Sequence, residues 1–297
     1  EACGQRPGKE TNMHLTSQHS HLICVDSDGC AMDTMDIKHF RCFGPAMVEE
    51  WSLTPWQEEI LQRWNNTNLY SMTRGINRFQ GLSIALEEAD RSYRHIPGID
   101  RLLSWTASSH ELSNRALEKE IADSRGKEDQ KEIQILEKAL SWSRKVNEQI
   151  AALPLDELQP FPGVKEALEA AHREADIAVV SSANKKAVEE EWQRCGLAPM
   201  TDVLLTQDDG SKAFCIGELI KKGYFPENVL MLGDAPGDEK AALANNVLFY
   251  PVLVKQETAS WERFRTQALP KFLQGSYAGT YQEELTALFH DNLKGKA

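Results

Sequence analysis

Two carboxylates one residue apart, Asp26 and Asp28, follow directly on the apolar run from Leu22 to Val25 and precede Gly29. Four apolar residues without polar alternation read as a buried parallel strand, and the glycine lets the chain turn sharply as it leaves the sheet. At the carboxyl end of a central strand, such a pair can supply a nucleophile and a proton donor while holding a divalent cation. The grammar repeats late in the chain, where the apolar run from Val229 to Leu232 is followed by Gly233, Asp234, Gly237 and Asp238. Between the two, Ser181 ends another apolar run ahead of a helical segment, and Lys212 opens a further helix. Each residue taken singly has a plainer reading: an acidic turn, an N-cap at Ser181 or Ser182, a solvated lysine. The four carboxylates together do not, because anions packed at neighbouring strand ends repel one another unless a cation compensates. That pattern argues for a bound metal.

The order Asp-x-Asp-Gly, strand-end Ser, Lys, Gly-Asp-x-x-x-Asp resembles the haloacid dehalogenase-like hydrolase superfamily, with all four of its motifs present in sequence. The resemblance implies an α/β fold, a Rossmann-like parallel-sheet core with an inserted helical cap, and a magnesium ion as cofactor. It implies that Asp26 attacks phosphorus to form an aspartyl-phosphate, and that Asp28 protonates the leaving oxygen and then activates water. Asp26, Asp234 and the backbone carbonyl of Asp28 would ligate Mg2+, with Asp238 orienting a metal-bound water. Ser181, with Ser182 as the alternative, would bind a phosphoryl oxygen, and Lys212 would hold both phosphate and Asp26. The superfamily's dehalogenase and phosphonatase branches lack an Asp at the position of Asp28, so the resemblance points to phosphate esters. One departure is Cys30, which stands where the common pattern has threonine. No histidine near it in sequence suggests a nucleophilic role for its thiol.

The composition agrees with an enzyme of small anionic substrates. The 297 residues, 41% of them hydrophobic, can bury one substantial core and a second, smaller one. A formal charge of −12 disfavours nonspecific nucleic-acid binding, and no basic run interleaved with aromatics appears. No apolar segment is long enough for a signal peptide or a membrane span. The six cysteines contain no CxxC pair, which suggests reduced thiols and a cytoplasmic setting. The expected partner is therefore a small phosphorylated metabolite, with no nucleic acid and no membrane.

The interval from Thr34 to about Pro160 is too long for a loop. Apolar spacing over residues 46–64 and 128–151 predicts buried helix faces there. The expected organisation is a discontinuous catalytic core at residues 17–33 and 155–255, a helical cap at 34–154, a C-terminal helical extension at 256–297 and a flexible leader at 1–16. Met13 reads as a natural start, and residues 247–254 as a further core strand that ends at Pro251 or beyond. His19 and His21 read as a solvated pair, with metal binding the alternative.

Within the cap, Gly75-Ile76-Asn77-Arg78 resembles the Gly-Ile-Ser-Arg segment of beta-phosphoglucomutase-like proteins, whose cap arginine contacts the distal substrate phosphate. Residues 33–40 resemble that group's Asp-Thr-x-x-x-His-Phe with one residue more, which puts His39 near a hinge. Arg74 and Arg78 are thus candidate anion clamps and His39 a candidate substrate-side group, and for all three a structural turn or a partly buried side chain stays open. The expectation is a magnesium-dependent phosphohydrolase. A sugar-phosphate mutase using the same residues and a catalytically silent binding protein on the same fold are the alternatives.

Overall fold

The computed structural model describes residues 15–294, so Met13 and most of the expected leader lie outside the described residues. The chain divides into two compact units. The first comprises residues 15–31, 160–234 and 238–287, the second residues 32–159, 235–237 and 288–294.

The first unit is built on five parallel strands: β1 (Leu22–Val25), β2 (Asp176–Val180), β3 (Val203–Leu205), β4 (Val229–Gly233) and β5 (Leu248–Pro251). Their order across the sheet is β3-β2-β1-β4-β5, and every pair is parallel. β1, β2 and β4 are buried along their whole length, as central strands covered on both faces must be. Helices Val164–Ala171, Lys185–Arg194, Lys212–Ile220 and Pro236–Ala244 connect the strands. Because Val25 is level with Val179 and with Leu232, the residues that follow all three strands leave the sheet at one edge.

Two readings of the sequence change here. β3 was not anticipated: it has three residues, of which only Leu205 is buried. The strand expected within 247–254 runs over Leu248–Pro251, and Val252 N still donates to Gly233 O at 2.8 Å beyond it. His21 is not simply solvated: its ring packs edge-on against Phe272 at 5.1 Å, and its Nδ1 meets Ser20 Oγ at 3.1 Å. Leu15 is already buried, and the backbone N–H groups of Gln18 and His19 donate to the buried Asp176 carboxylate.

The second unit is helical. The spacing over residues 46–64 resolves into two helices, Gly44–Glu50 and Gln57–Leu69. The break falls where Ser52 takes a left-handed conformation (φ 53°) and Pro55 begins a 3-10 turn at Thr54–Trp56. Helices Arg78–Ser92, Ile99–Ser108 and Asn114–Ser124 follow, then the long helix Gln130–Ala151, which starts from a capping box between Asp129 and Glu132. Its core is aromatic: the Trp142 ring meets Trp64 at 6.1 Å and Phe79 at 6.2 Å, both edge-on.

Candidate active site

Asp26 is the first residue beyond β1, its N–H donating to Leu232 O at 3.0 Å, so the sheet ladder itself fixes where the carboxylate emerges. Gly29, with φ 79°, turns the loop that follows. Cys30 N and Ala31 N both donate to Ser27 O, at 3.3 and 3.0 Å, which folds residues 27–31 into a tight turn with half-buried Asp28 at its apex. Ser27 N donates to Asp26 Oδ1 at 2.8 Å and holds one side of the carboxylate.

The other side belongs to Lys212. Ser211 caps helix Lys212–Ile220 by accepting from Phe214 N, and this puts Lys212 at the first helical position. Its Nζ lies 2.8 Å from Asp26 Oδ2 and 2.5 Å from Asp238 Oδ1. The alternative of a solvated lysine is excluded, since the side chain is only 13% exposed. Burial alone would lower its pKa, but Asp238 and Asp26 outweigh that and hold the ammonium above its ordinary range.

Asp234 follows β4, and Asp238 sits in the first turn of helix Pro236–Ala244, where a carboxylate is favoured by the helix dipole. Asp26, Asp234 and Asp238 are all buried, and each offers an oxygen within 4.8 Å of the others. Three carboxylates against one ammonium leave two negative charges in a site almost closed to water. Burial pushes the Asp26 carboxyl well above the usual range; Lys212 opposes that shift, and Asp238 and Asp234 add to it. A hard divalent cation among these oxygens would reverse the shift and keep Asp26 ionised, so the donor set fits Mg2+.

Ser181 follows β2, is buried, and donates its N–H to Leu205 O at 2.9 Å. The next helix is capped by Asn184, whose side chain accepts from Ala187 N, and not by either serine. Ser181 Oγ instead accepts from Ala183 N at 3.1 Å, while Ser182 is exposed. Cys30 is buried beside the aspartates; burial first, then Asp234, Asp26 and Asp238, push its thiol far up, which keeps it protonated and unreactive.

The remaining candidates lie within the helical unit. Arg74 is buried and its Nη1 donates to Leu69 O at 2.7 Å. Arg78 Nη1 donates to Ser143 O (3.3 Å), Ser143 Oγ (3.1 Å) and Asn147 Oδ1 (2.7 Å), and the guanidinium lies 5.1 Å from the Phe43 ring centre. His39 begins the π-helical turn His39–Phe43; its Nδ1 accepts from Trp64 Nε1 at 3.0 Å, and its ring stacks on Phe43 at 4.7 Å.

Residues 104–252, half of the chain, match the family model for haloacid dehalogenase-like hydrolases, a span that contains Ser181, Lys212, Asp234 and Asp238. The chain belongs to this family. No curated protein matches the sequence. Among solved structures, this haloacid dehalogenase-like chain is similar to a candidate beta-phosphoglucomutase from Thermotoga maritima, at 19% identity over 78% of this chain and 84% of that one, with a TM-score of 0.46. It is similar to a candidate phosphoglycolate phosphatase from Lactobacillus delbrueckii subsp. bulgaricus, at 14% identity over 78% and 85%, TM-score 0.49. A third is a haloacid dehalogenase-like family hydrolase from Xanthomonas campestris, at 12% identity over 94% and 99%, TM-score 0.44. Family membership makes the chain an enzyme of the hydrolase type, and no helix among the described residues is long and apolar enough to cross a membrane.

Sequence reasoning missed two contacts on the loop that follows Asp26: Trp192 Nε1 donates to Ser27 Oγ and Trp261 Nε1 to Cys30 O, each at 2.9 Å. Nothing local in the sequence signals either, for the partners stand 165 and 231 residues apart.

Proposed function

We propose that the protein is a magnesium-dependent phosphomonoesterase acting on a small phosphorylated metabolite. The observation that carries this reading is the buried lysine that holds Asp26 and Asp238 beside Asp234. Asp26 attacks phosphorus and the ester P–O bond breaks, leaving an aspartyl-phosphate on Asp26. Asp28 gives its proton to the departing alkoxide, then takes one from the water that attacks the aspartyl-phosphate, so phosphate leaves and both aspartates return to their starting states. Lys212 steadies Asp26 and neutralises a phosphoryl oxygen, and Ser181 offers its hydroxyl to another. Asp26, Asp234 and the Asp28 carbonyl would hold Mg2+, with Asp238 in support; when bound, the ion neutralises charge building on the phosphoryl oxygens.

The helical unit is inserted directly after the nucleophile loop, and we assign it the role of a cap that excludes water and selects substrate. The described cysteines carry free thiols, which supports a reducing, cytoplasmic setting. A phosphomutase would use the same core; the commitment of Arg78 to Ser143 and Asn147 favours the hydrolase. The test is phosphate release from a panel of phosphorylated metabolites and an aryl phosphate, with Mg2+ or EDTA, for the native sequence and Asp26→Asn. Release lost in both EDTA and the variant is expected; isomer interconversion without net phosphate release would establish the mutase.

A further inference from the structure

We propose that Trp192 and Trp261 are positioning residues that grip the nucleophile loop on either side of Asp28. The inference rests on the phosphohydrolase reading and adds to it a function for the C-terminal extension. Both indoles are fully buried, and each spends its single N–H on the loop: Trp192 on Ser27 Oγ, Trp261 on Cys30 O. Between these two anchors lie only Asp28 and Gly29, and Gly29 sits at φ 79°, where the backbone is least constrained by its own side chain.

The anchors reach the reacting group through short connections. Ser27, held by Trp192 at its hydroxyl, donates its N–H to Asp26 Oδ1. Ser27 O accepts from Cys30 N and Ala31 N, so a shift of Cys30 away from Trp261 would open the same turn. Trp261 is itself fixed: Phe264 packs edge-on to it at 5.7 Å, and Gly163 lies beneath its Cβ, where an added methyl would stand at 3.7 Å. Trp261 belongs to helix Glu257–Arg263, beyond residue 252 where the family match ends, and the loop it holds lies before residue 104 where that match begins. Asp28 must first give and then take a proton on one side of the phosphoryl group, and a misplacement of about 1 Å in such a group costs on the order of 100-fold in rate.

The test uses the full chain with Trp261→Phe and Trp192→Phe. Tyr277→Phe is the control, because it deletes an equally buried hydrogen bond of the same extension, from Tyr277 Oη to Phe249 O at 2.6 Å, away from the loop. Amide hydrogen exchange at Cys30 and Ala31 in metal-free protein should speed up at least about tenfold in the tryptophan variants and not in the control. The kcat for an aryl phosphate should fall about 10–100-fold with KM little changed, and Mg2+ affinity by calorimetry should weaken, as for other outer-shell supports. Unaltered exchange, or a kcat loss no larger than that of Tyr277→Phe, would overturn the inference. Should Trp261→Phe fail to fold, benzothienylalanine at 261 keeps the ring and removes only the donor. If the wild type releases no phosphate at all, the phosphohydrolase reading fails by itself, and exchange and Mg2+ affinity still decide this one.

Discussion

Lys212 Nζ lies closer to Asp238 Oδ1, at 2.5 Å, than to the proposed nucleophile Asp26, at 2.8 Å. One ammonium therefore spans two carboxylates from different elements and sets their spacing before any substrate arrives. Lys212→Met keeps much of the side-chain volume and deletes the charge. It should lower kcat by about 10²–10³-fold, the loss typical of removing one preorganised electrostatic group. Stability should fall as well, because Asp26 and Asp238 lose the ammonium that compensates their buried charge. Steady-state kinetics with a parallel thermal melt checks both, and a variant with native kcat would remove Lys212 from the site.

Gly233 is constrained by Asp238 and not by its own backbone angle. A Cβ at Gly233 would stand 2.3 Å from Asp238 Cβ and 2.4 Å from Oδ2, a separation real atoms do not adopt. Gly233→Ala must therefore displace Asp238, at about 1–3 kcal/mol of stability, the usual penalty for overpacking. Activity should fall further than stability explains, since Asp238 is the second partner of Lys212. Calorimetric melting and kcat on one sample will show whether the two losses separate.

The core series of Asp, Ser and Lys was legible because a parallel sheet brings the residues after each strand to one edge, so order along the chain becomes proximity in space. What stayed hidden has a physical cause in each case. β3 is three apolar residues, too short a run to stand out as a strand. Trp51, Trp56 and Trp64 keep helical spacing across the break at Ser52 because successive helices bury onto the same core. The indole anchors at Ser27 and Cys30 depend on tertiary contacts that no sequence window spans.

Asp176 anchors the segment before β1. Its buried carboxylate accepts from Gln18 N, His19 N and Tyr224 Oη, the last at 2.5 Å. Asp176→Ala strands these donors and should cost about 1–3 kcal/mol, with the Tyr224 hydroxyl the costliest because it is buried. Chemical denaturation will read the loss. Amide exchange should rise first at Gln18 and His19, and unaltered exchange there would show that the segment is held by other contacts.

Thiol labelling separates chemistry from packing at Cys30. Burial raises the thiols of Cys24, Cys30, Cys195 and Cys215, at Cys30 the neighbouring aspartates raise it further, and of these four Cys195 alone is partly exposed. Iodoacetamide at mildly alkaline pH should therefore reach half-buried Cys195 well before the other three, which should react only on unfolding. Peptide mapping by mass spectrometry gives the order. Rapid labelling of Cys30 in native protein would reopen a role for its thiol.

Arg78 decides between two readings of the helical unit. A clamp for a distal substrate phosphate needs a guanidinium that faces substrate, whereas here Nη1 is shared among Ser143 and Asn147 and the group stacks over Phe43. Those bonds join the start of helix Arg78–Ser92 to helix Gln130–Ala151, so Arg78→Ala should loosen the unit by about 1.5–3 kcal/mol, the range for a hydrogen-bonded charged group. Turnover of a sugar phosphate and of a small aryl phosphate should then fall by similar factors. A loss confined to the sugar phosphate, with an unchanged melting temperature, would instead make Arg78 a substrate ligand whose internal bonds are exchanged on binding, and would move the weight of the assignment toward the mutase.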